Sequence, residues 1–312
     1  MSKIFVIFGA TGKQGGALIN FILQDEALSK EFNLRGITRK ASKPEAVQLK
    51  ERGVEVIEAD MNDPPSLRPA LEGAYAVFAM TNFWDKASAE AEVAQGKAIA
   101  DVSLTAGVSL MIWSSLPNVT KMSNGELTTV EHFDSKAEVE DYIRSLNFPS
   151  SAFFLPGWFM QNFWDNFVPK PKMISEDTVL FPFAWPPDMR MPLIDIGDAG
   201  KYLAPALRDP AKYNGAQLVS ATAFYSAQEI VDIWSGVSGK NVRLATGDEV
   251  EQFITHPLQR DVLRPGPLFL RYGYFGPNGD RDLDWTLAQL DPADKLTTWE
   301  EFLVRNGPWD FE

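Results

Sequence analysis

The chain has 312 residues, of which 45% are hydrophobic, and a formal net charge of −13 at neutral pH. This length suits one α/β domain with a smaller second domain, and the acidic balance argues against direct binding of a nucleic-acid backbone. The chain has no cysteine and two distant histidines, which excludes disulfides and thiolate chemistry and argues against a metal site.

Strand and helix patterns alternate five times over about the first 115 residues. Apolar runs predict strands at residues 4–8, 34–38, 54–59, 74–80 and 110–113. Amphipathic stretches predict helices at residues 16–23, 46–52, 66–71 and 87–106, followed by a helix at 128–146 and a strand at 152–155. This alternation is typical of a doubly wound parallel Rossmann sheet.

The regular alternation fades after residue 157, which suggests a domain boundary. We expect an NADP-binding Rossmann domain over residues 1–157, with a returning segment at about 191–222. Residues 158–190 and 223–312 then form a smaller α+β domain for substrate or partner. Residues 158–190 are rich in aromatic residues and proline, and form either a substrate lid or an irregular piece of core. The pocket candidates are Trp84, Trp158, Phe159 and Phe163.

Three short motifs predict where later helices begin. In a capping box, a Ser or Thr at the N-cap and a Glu three residues on satisfy backbone donors reciprocally. Thr128 with Glu131 predicts one such start, and Ser226 with Glu229 predicts another. Thr298 is expected to open the last helix.

A glycine-rich turn, GATGKQGG, follows the first predicted strand and precedes the first helix. Gly9 permits a tight turn, Gly12 lets backbone approach a diphosphate, and Gly15 lets the helix pack closely on the strand. The helix N-terminus favours phosphate. The phosphate path is expected to include Thr11, Lys13 and Gln14. The alternative is a tight connection that binds nothing.

The end of the second strand indicates which dinucleotide binds. An NAD-selective site places an acid there to accept from the ribose 2′-hydroxyl, whereas this strand ends in Thr38, Arg39 and Lys40. Two cations suit a 2′-phosphate, which Arg39 can bind through two hydrogen bonds, so NADP(H) is the expected cofactor. The alternative is that both cations are solvated turn residues.

Two further loops are expected to contact the cofactor. The loop after the third strand should line the adenine pocket with Asp60, Met61 and Asn62. The loop after the fourth strand should flank the nicotinamide half with Thr81, Asn82 and Phe83, followed by Trp84.

His132 and Lys136 lie four residues apart on a predicted helix and therefore share one face. The pattern resembles the Tyr-x-x-x-Lys of short-chain dehydrogenases, with histidine in place of tyrosine. By that resemblance Lys136 holds the nicotinamide ribose, and Ser114 and Ser115 help to hold a substrate carbonyl. An ordinary histidine pKa near 6.5 would allow His132 to transfer a proton. Alternatively, His132 only packs on the helix face and transfers no proton. We interpret the other histidine, His256, as an ordinary polar residue.

Several motifs together resemble the NmrA-like family of atypical short-chain dehydrogenase/reductases, and its HSCARG-like branch in particular. The matching stretches are GATGKQGG, TRK, TNFW, HFDSKAEVEDYIR, LPGWFMQNF and MPLIDIGDAGKYL, spread over nearly the whole chain. The resemblance implies a Rossmann domain with a smaller C-terminal domain and NADP(H) as cofactor. It also assigns Pro156 and Asn162, in LPGWFMQNF, to the cofactor site.

The resemblance leaves two classes of function open. Some relatives are reductases of quinones, imines or ethers, whereas others resemble NADP(H) redox sensors that regulate proteins such as transcription factors. We favour an NADPH-dependent reductase of a small apolar C=O, C=N or C=C substrate over a sensor with a protein partner. No apolar run reaches membrane-span length, so we expect a cytoplasmic protein, or a nuclear one if it is a regulator. Substrate identity and oligomeric state stay open.

Overall fold

The computed structural model describes residues 2–163, 168–255, 263, 271–309 and 311. The chain divides into two compact units. Unit 1 comprises residues 1–156, 197–220 and 284–294, and unit 2 comprises residues 157–196, 221–283 and 295–312. Within the described ranges, no helix has the length and apolarity needed to cross a membrane.

Unit 1 is built on a parallel sheet, for which the described residues give seven strands in the order β3-β2-β1-β4-β5-β6-β11. Numbered in chain order, its strands are β1 (Lys3–Ile7), β2 (Phe32–Thr38), β3 (Glu55–Glu58), β4 (Ala74–Ala79), β5 (Leu110–Ser114), β6 (Ser150–Pro156) and β11 (Ala216–Ser220). The central strands are mostly buried and largely apolar, as expected of a sheet covered by helices. The predicted Rossmann fold is confirmed.

The helices of unit 1 follow the strands in alternation. They are α1 (Lys13–Gln24), α2 (Glu26–Glu31), α3 (Pro44–Glu51), α4 (Pro64–Leu71), α5 (Ala89–Thr105), α6 (Val119–Met122), α7 (Glu131–Ser145) and α8 (Ala199–Arg208). α5 packs against α4 and α7, and α1 packs against α8. Close packing of α5 on α7 needs Gly96, because a Cβ there would lie 2.6 Å from the Val139 methyl groups.

Unit 2 contains two three-stranded sheets in its described part, ordered β12-β10-β7 and β13-β9-β8. Its strands are β7 (Trp158–Phe159), β8 (Lys172–Met173), β9 (Thr178–Phe181), β10 (Arg190–Ile194), β12 (Ala223–Ser226) and β13 (Asn241–Leu244). Helix α9 (Ala227–Ser238) packs against β13 and α11 (Trp299–Asn306), and α10 (Gly279–Leu287) spans a boundary between the units.

The predicted domain limits need two corrections. The returning segment begins at Gly197, because residues 190–194 form β10 and pair with β12 and β7 in unit 2. Residues 284–294 belong to unit 1, although the sequence placed them in the smaller domain. Strand pattern alone does not show which sheet a short apolar strand joins, since either sheet would bury it.

The capping boxes at Ser226 and Thr298 are both present. The one predicted at Thr128 is absent, because α7 begins at Glu131 with Val130 as its N-cap. Thr128, which matches the capping-box pattern, lies in the loop that precedes α7.

Strand order reverses between β1 and β4, and open α/β sheets bind ligands at such a reversal, beyond the carboxyl ends of the strands. The loops after these two strands touch, since a Cβ on Gly9 would lie 2.8 Å from the sulfur of Met80. Three sequence-predicted segments leave the sheet in this region: the glycine turn, the end of β2 and the loop after β4.

Candidate functional site

The turn after β1 has the backbone geometry that its glycines allow. Gly9 adopts a φ of +64°, and the Gly12 N–H donates to the Gly9 carbonyl at 2.8 Å. A Cβ at Gly15 would lie 2.4 Å from that carbonyl oxygen, so a side chain there would separate α1 from β1. The predicted tight turn and close helix–strand approach are both present.

The N-terminal end of α1 suits an anion. The helix starts at Lys13 and has no acidic residue in its first turn, while Thr11 and Gly12 before it are exposed. The Gln14 Oε1 atom is buried without a hydrogen-bond partner in the described parts of the chain. An unsatisfied buried acceptor costs free energy, which a ligand hydroxyl would recover. These residues therefore fit the diphosphate and sugar of a dinucleotide.

The end of β2 carries an ion pair that sequence reasoning missed. Arg39 Nη1 lies 2.9 Å from Asp85 Oδ2, with side chains 65% and 37% exposed. The Asn82 side-chain amide donates to the other oxygen of Asp85 at 3.0 Å. Lys40 is exposed beside Arg39. No sequence pattern pointed to Asp85, because it follows β4 rather than β2.

The loop after β3 is ordered by its own side chains. Asp60 Oδ1 accepts from both the backbone and the side-chain amide of Asn62, each at 2.8 Å. The backbone bond is the largest cause lowering the Asp60 pKa, with smaller contributions from the charges of Arg39 and Lys86. Met61 is half-buried beside them. The structure thus holds Asp60 ionised in the neighbourhood of Arg39.

A buried hydrogen-bond network surrounds Lys136. Its ammonium group donates to Glu92 Oε1 at 2.6 Å, to the Thr81 carbonyl at 3.1 Å and to the Thr81 hydroxyl oxygen at 3.2 Å. The Thr81 hydroxyl donates to Glu92 Oε1, and the Ser135 hydroxyl donates to Glu92 Oε2. The Glu92 side chain is 1% exposed and that of Lys136 14%. Burial lowers the pKa of Lys136, while the Glu92 carboxylate opposes this effect.

Helix packing explains why Glu92 and Lys136 meet. α5 and α7 lie together, and the indole N–H of Trp113 on β5 donates to the Lys136 carbonyl at 3.0 Å, fixing the position of α7. Sequence reasoning missed Glu92 among the acids of α5. A signal was available, since Glu92, Gly96, Ile99 and Ser103 recur at helical spacing and all are buried.

His132 lies among aromatic rings on the same helix. Its ring centroid is 5.8 Å from that of Phe83, 5.2 Å from Trp84 and 4.9 Å from Phe133. Phe83, Trp84 and Asp85 form the short 3-10 turn after β4, with Asn82 as its N-cap, and Trp84 is 44% exposed. The loop predicted to flank the nicotinamide therefore contacts the predicted proton donor.

The environment of His132 corrects the expected proton chemistry. Burial lowers its pKa to about 4, aided by the Lys136 charge and opposed by Glu92 and Asp134. The imidazole is therefore neutral at pH 7, whereas an imidazole with the ordinary pKa of about 6.5 would be partly protonated there.

Ser114, the last residue of β5, and Ser115, which follows it, are buried, with 3% and 0% exposed. The Ser115 backbone N–H donates to the Phe154 carbonyl at 2.8 Å. Pro156 ends the neighbouring strand β6 and is also buried. The structure thus places all three at the carboxyl ends of β5 and β6.

The remaining predicted residues belong to unit 2. Trp158 and Phe159 are half-buried on β7, and Asn162 lies in the following 3-10 turn. Phe163 is 3% exposed and lies 5.1 Å from Trp299, ring centre to ring centre, in an aromatic core. For residues 158–190, the position of Phe163 supports a piece of core rather than a substrate lid. His256 lies outside the described residues.

Two segments of unit 2 that carried the family resemblance are joined by hydrogen bonds. The Gln161 amide donates to Asp195 Oδ1 at 2.6 Å, and the Ile196 N–H donates to Gln161 Oε1 at 3.2 Å. Arg305 donates to the second oxygen of Asp195. These motif residues have a structural role that sequence reasoning did not assign.

A cavity of about 460 Å³, lined by residues of α5, α6 and α7, is a poor fit for a dinucleotide. Four carboxylates line it, from Glu131, Asp134, Glu138 and Asp141, and they would repel phosphates. The described residues also contain no cluster of histidine and acidic side chains able to hold a metal ion.

A model of the NmrA-like family matches residues 1–303. The chain belongs to the NmrA-like family. Two NmrA-like relatives have similar lengths. An NmrA-like family domain-containing protein of Dictyostelium discoideum is 28% identical, over 98% of this chain and 98% of its own. An NmrA-like family domain-containing oxidoreductase of Aspergillus flavus is 31% identical, over 92% of this chain and 90% of its own.

Solved NmrA structures share the fold. Two crystal structures of NmrA, a negative transcriptional regulator, contain NAD in one case and NADP in the other. Each superposes with a TM-score of 0.81 at 22% identity, covering 98% of this chain and 95% of NmrA. At this identity the likeness establishes the Rossmann-type architecture and no more.

Proposed function

We propose that this chain binds NADP(H) at the β1–α1 turn and reduces a small apolar substrate with a polarised C=O, C=N or C=C bond. One observation carries the proposal: the ammonium group of Lys136 lies 3.1 Å from the backbone carbonyl of Thr81, just after β4. This is the point of strand reversal, where a nicotinamide ribose is expected. The oxidoreductase name of the Aspergillus flavus relative supports the reaction class.

Four residues of unit 1 then have proposed roles. Bound NADPH supplies the hydride. Lys136 holds the ribose hydroxyls in exchange for its bonds to Thr81, while Glu92 keeps the ammonium group in place and opposes the lowering of its pKa. An imidazole with a pKa of about 4 is not protonated at pH 7, so His132 instead holds a water that gives its proton to the substrate, and bulk solvent reprotonates the hydroxide left behind. Arg39 holds the 2′-phosphate.

The test follows NADPH absorbance with a panel of cyclic imines, quinones and enones. A double variant, Lys136→Met with Glu92→Gln, removes both charges of the buried pair and leaves neither unpaired. We expect it to lower kcat/KM by about 100-fold, since positioning groups contribute effects of this size. Lys97→Met with Glu138→Gln is the matched control, because that pair joins the same two helices at 2.7 Å on the surface. Undiminished activity in the first variant contradicts the role of Lys136.

A specific observation also favours a second function, a non-catalytic NADP(H) sensor. With a pKa of about 4, His132 is not a proton donor at neutral pH. A sensor, which catalyses no reaction, does not need a proton donor. NmrA is described as a negative transcriptional regulator. Given the net charge of −13, a basic protein is a better partner than DNA. No turnover on any substrate, together with different affinities for NADPH and NADP⁺, would support this function over the reductase.

A further inference from the structure

The Arg39–Asp85 pair joins the ends of two strands that face the dinucleotide site. Arg39 follows β2 and Asp85 follows β4, yet the guanidinium and the carboxylate are 2.9 Å apart. Asn82 donates to the second oxygen of Asp85, so the carboxylate is held from both sides. Asp85 therefore occupies a defined position beside the group expected to hold a 2′-phosphate.

This pair changes the argument on cofactor choice. Selectivity for NAD normally comes from an acid at the end of β2, which accepts from the ribose 2′-hydroxyl. That acid is missing from β2 here, but Asp85, in the turn after β4, brings a carboxylate to the guanidinium group of Arg39. Within 2.9 Å of Arg39, it lies close enough to face whatever group the adenine ribose carries at its 2′ position.

We propose that Asp85 is a specificity-determining residue that lowers the preference for NADP(H) and lets the site accept NAD(H). The proposal rests on the proposed dinucleotide binding. Asp85 acts in two ways, and both favour NAD(H) over NADP(H). Its carboxylate competes with a 2′-phosphate for Arg39 and repels it, and it accepts a hydrogen bond from an unmodified 2′-hydroxyl.

The exposure of the pair sets the size of the effect. Ion pairs this open to solvent are weak, so a 2′-phosphate with two negative charges displaces Asp85 from Arg39 without preventing binding. Like-charge repulsion and one hydrogen bond together correspond to about a tenfold change in the ratio of dissociation constants. Asp85 thus tunes selectivity rather than excluding either cofactor.

The experiment measures Kd for NADPH and for NADH by calorimetry, on the wild type and on Asp85→Asn. Asparagine has nearly the same shape but no charge, and the site is exposed, so folding should be unaffected. The ratio of the NADH Kd to the NADPH Kd should rise about tenfold in Asp85→Asn. Arg39→Gln should move this ratio in the opposite direction.

Asp280→Asn serves as a matched control, because Asp280 forms a similar exposed pair with Arg190 at 2.8 Å in unit 2. Its ratio should equal that of the wild type. A ratio in Asp85→Asn that stays within about twofold of wild type, or falls, overturns the role of Asp85 while leaving dinucleotide binding intact. A wild type that binds neither dinucleotide overturns the proposed function and this assignment with it.

Discussion

The Lys136 ammonium group and the Glu92 carboxylate form an ion pair of 2.6 Å between α7 and α5, and 1% of the Glu92 side chain is exposed. Removing one partner of such a pair leaves the other charge buried and unpaired. Glu92→Ala should therefore lower the free energy of unfolding by about 3 kcal/mol or more, measured by urea denaturation. Glu138→Ala, which removes the exposed partner of Lys97 between the same helices, should cost under about 1 kcal/mol. Equal losses would show that the Glu92 pair is not buried in solution.

The glycine turn offers a matched pair of substitutions. Gly15→Ala places a Cβ 2.4 Å from the Gly9 carbonyl oxygen, and backbone must move to admit it. We expect a loss of about 2 kcal/mol or more in stability, together with weaker dinucleotide binding. At Gly16 the nearest atom to an added Cβ is 3.5 Å away, so Gly16→Ala should be neutral or slightly stabilising. Thermal unfolding of both variants measures the difference, and a tolerated Gly15→Ala would contradict the close approach of α1.

The lowered pKa of His132 makes stability depend on pH. The folded value of about 4 lies below the unfolded value of about 6.5, so the unfolded state binds the proton first. The contribution of His132 to the free energy of unfolding is fully present above about pH 6.5. It is lost as the pH falls towards 4, by about 3 kcal/mol in total. His132→Phe keeps an aromatic ring and removes the titration. The unfolding free energy of the wild type minus that of the variant should decrease as the pH is lowered from about 6.5 to about 4. A difference that stays constant over this range would refute the lowered pKa of His132.

Helix capping gives a prediction on which sequence and structure disagree. Thr298 caps α11 through its side chain, so Thr298→Ala should lower the unfolding free energy by about 1 kcal/mol. Thr128 matches the capping pattern in sequence but lies outside α7, and Thr128→Ala should change stability by less than about 0.5 kcal/mol. Denaturant titration of both variants tests this difference. A larger loss at Thr128 would mean that α7 begins earlier than Glu131.

The Rossmann core was predictable because its signals are local. Continuous apolar runs gave the buried strands, and glycine spacing identified the first turn together with its steric purpose at Gly15. The helical spacing of His132 and Lys136 also placed both on α7.

What sequence reasoning missed depends on contacts between distant segments. The ion pair of Lys136 with Glu92 spans 44 residues, and that of Arg39 with Asp85 links the ends of β2 and β4. The His132 pKa follows from surrounding rings that no linear pattern reveals. In each case the ion pairing or the pKa of a charged or titratable group depends on a neighbour that is distant in sequence and is brought close by the packing of the fold.

Helix α7 distributes neighbouring side chains to different tasks. Asp134 accepts from the Val119 N–H at 2.6 Å, Ser135 donates to Glu92, and Lys136 donates to Glu92 and Thr81. An insertion or deletion of one residue within the helix would rotate everything beyond it by about 100° and exchange all these partners at once. Around the start of α7, natural length variation among relatives should therefore fall in the largely exposed loop at residues 124–129, leaving the register of α7 unchanged.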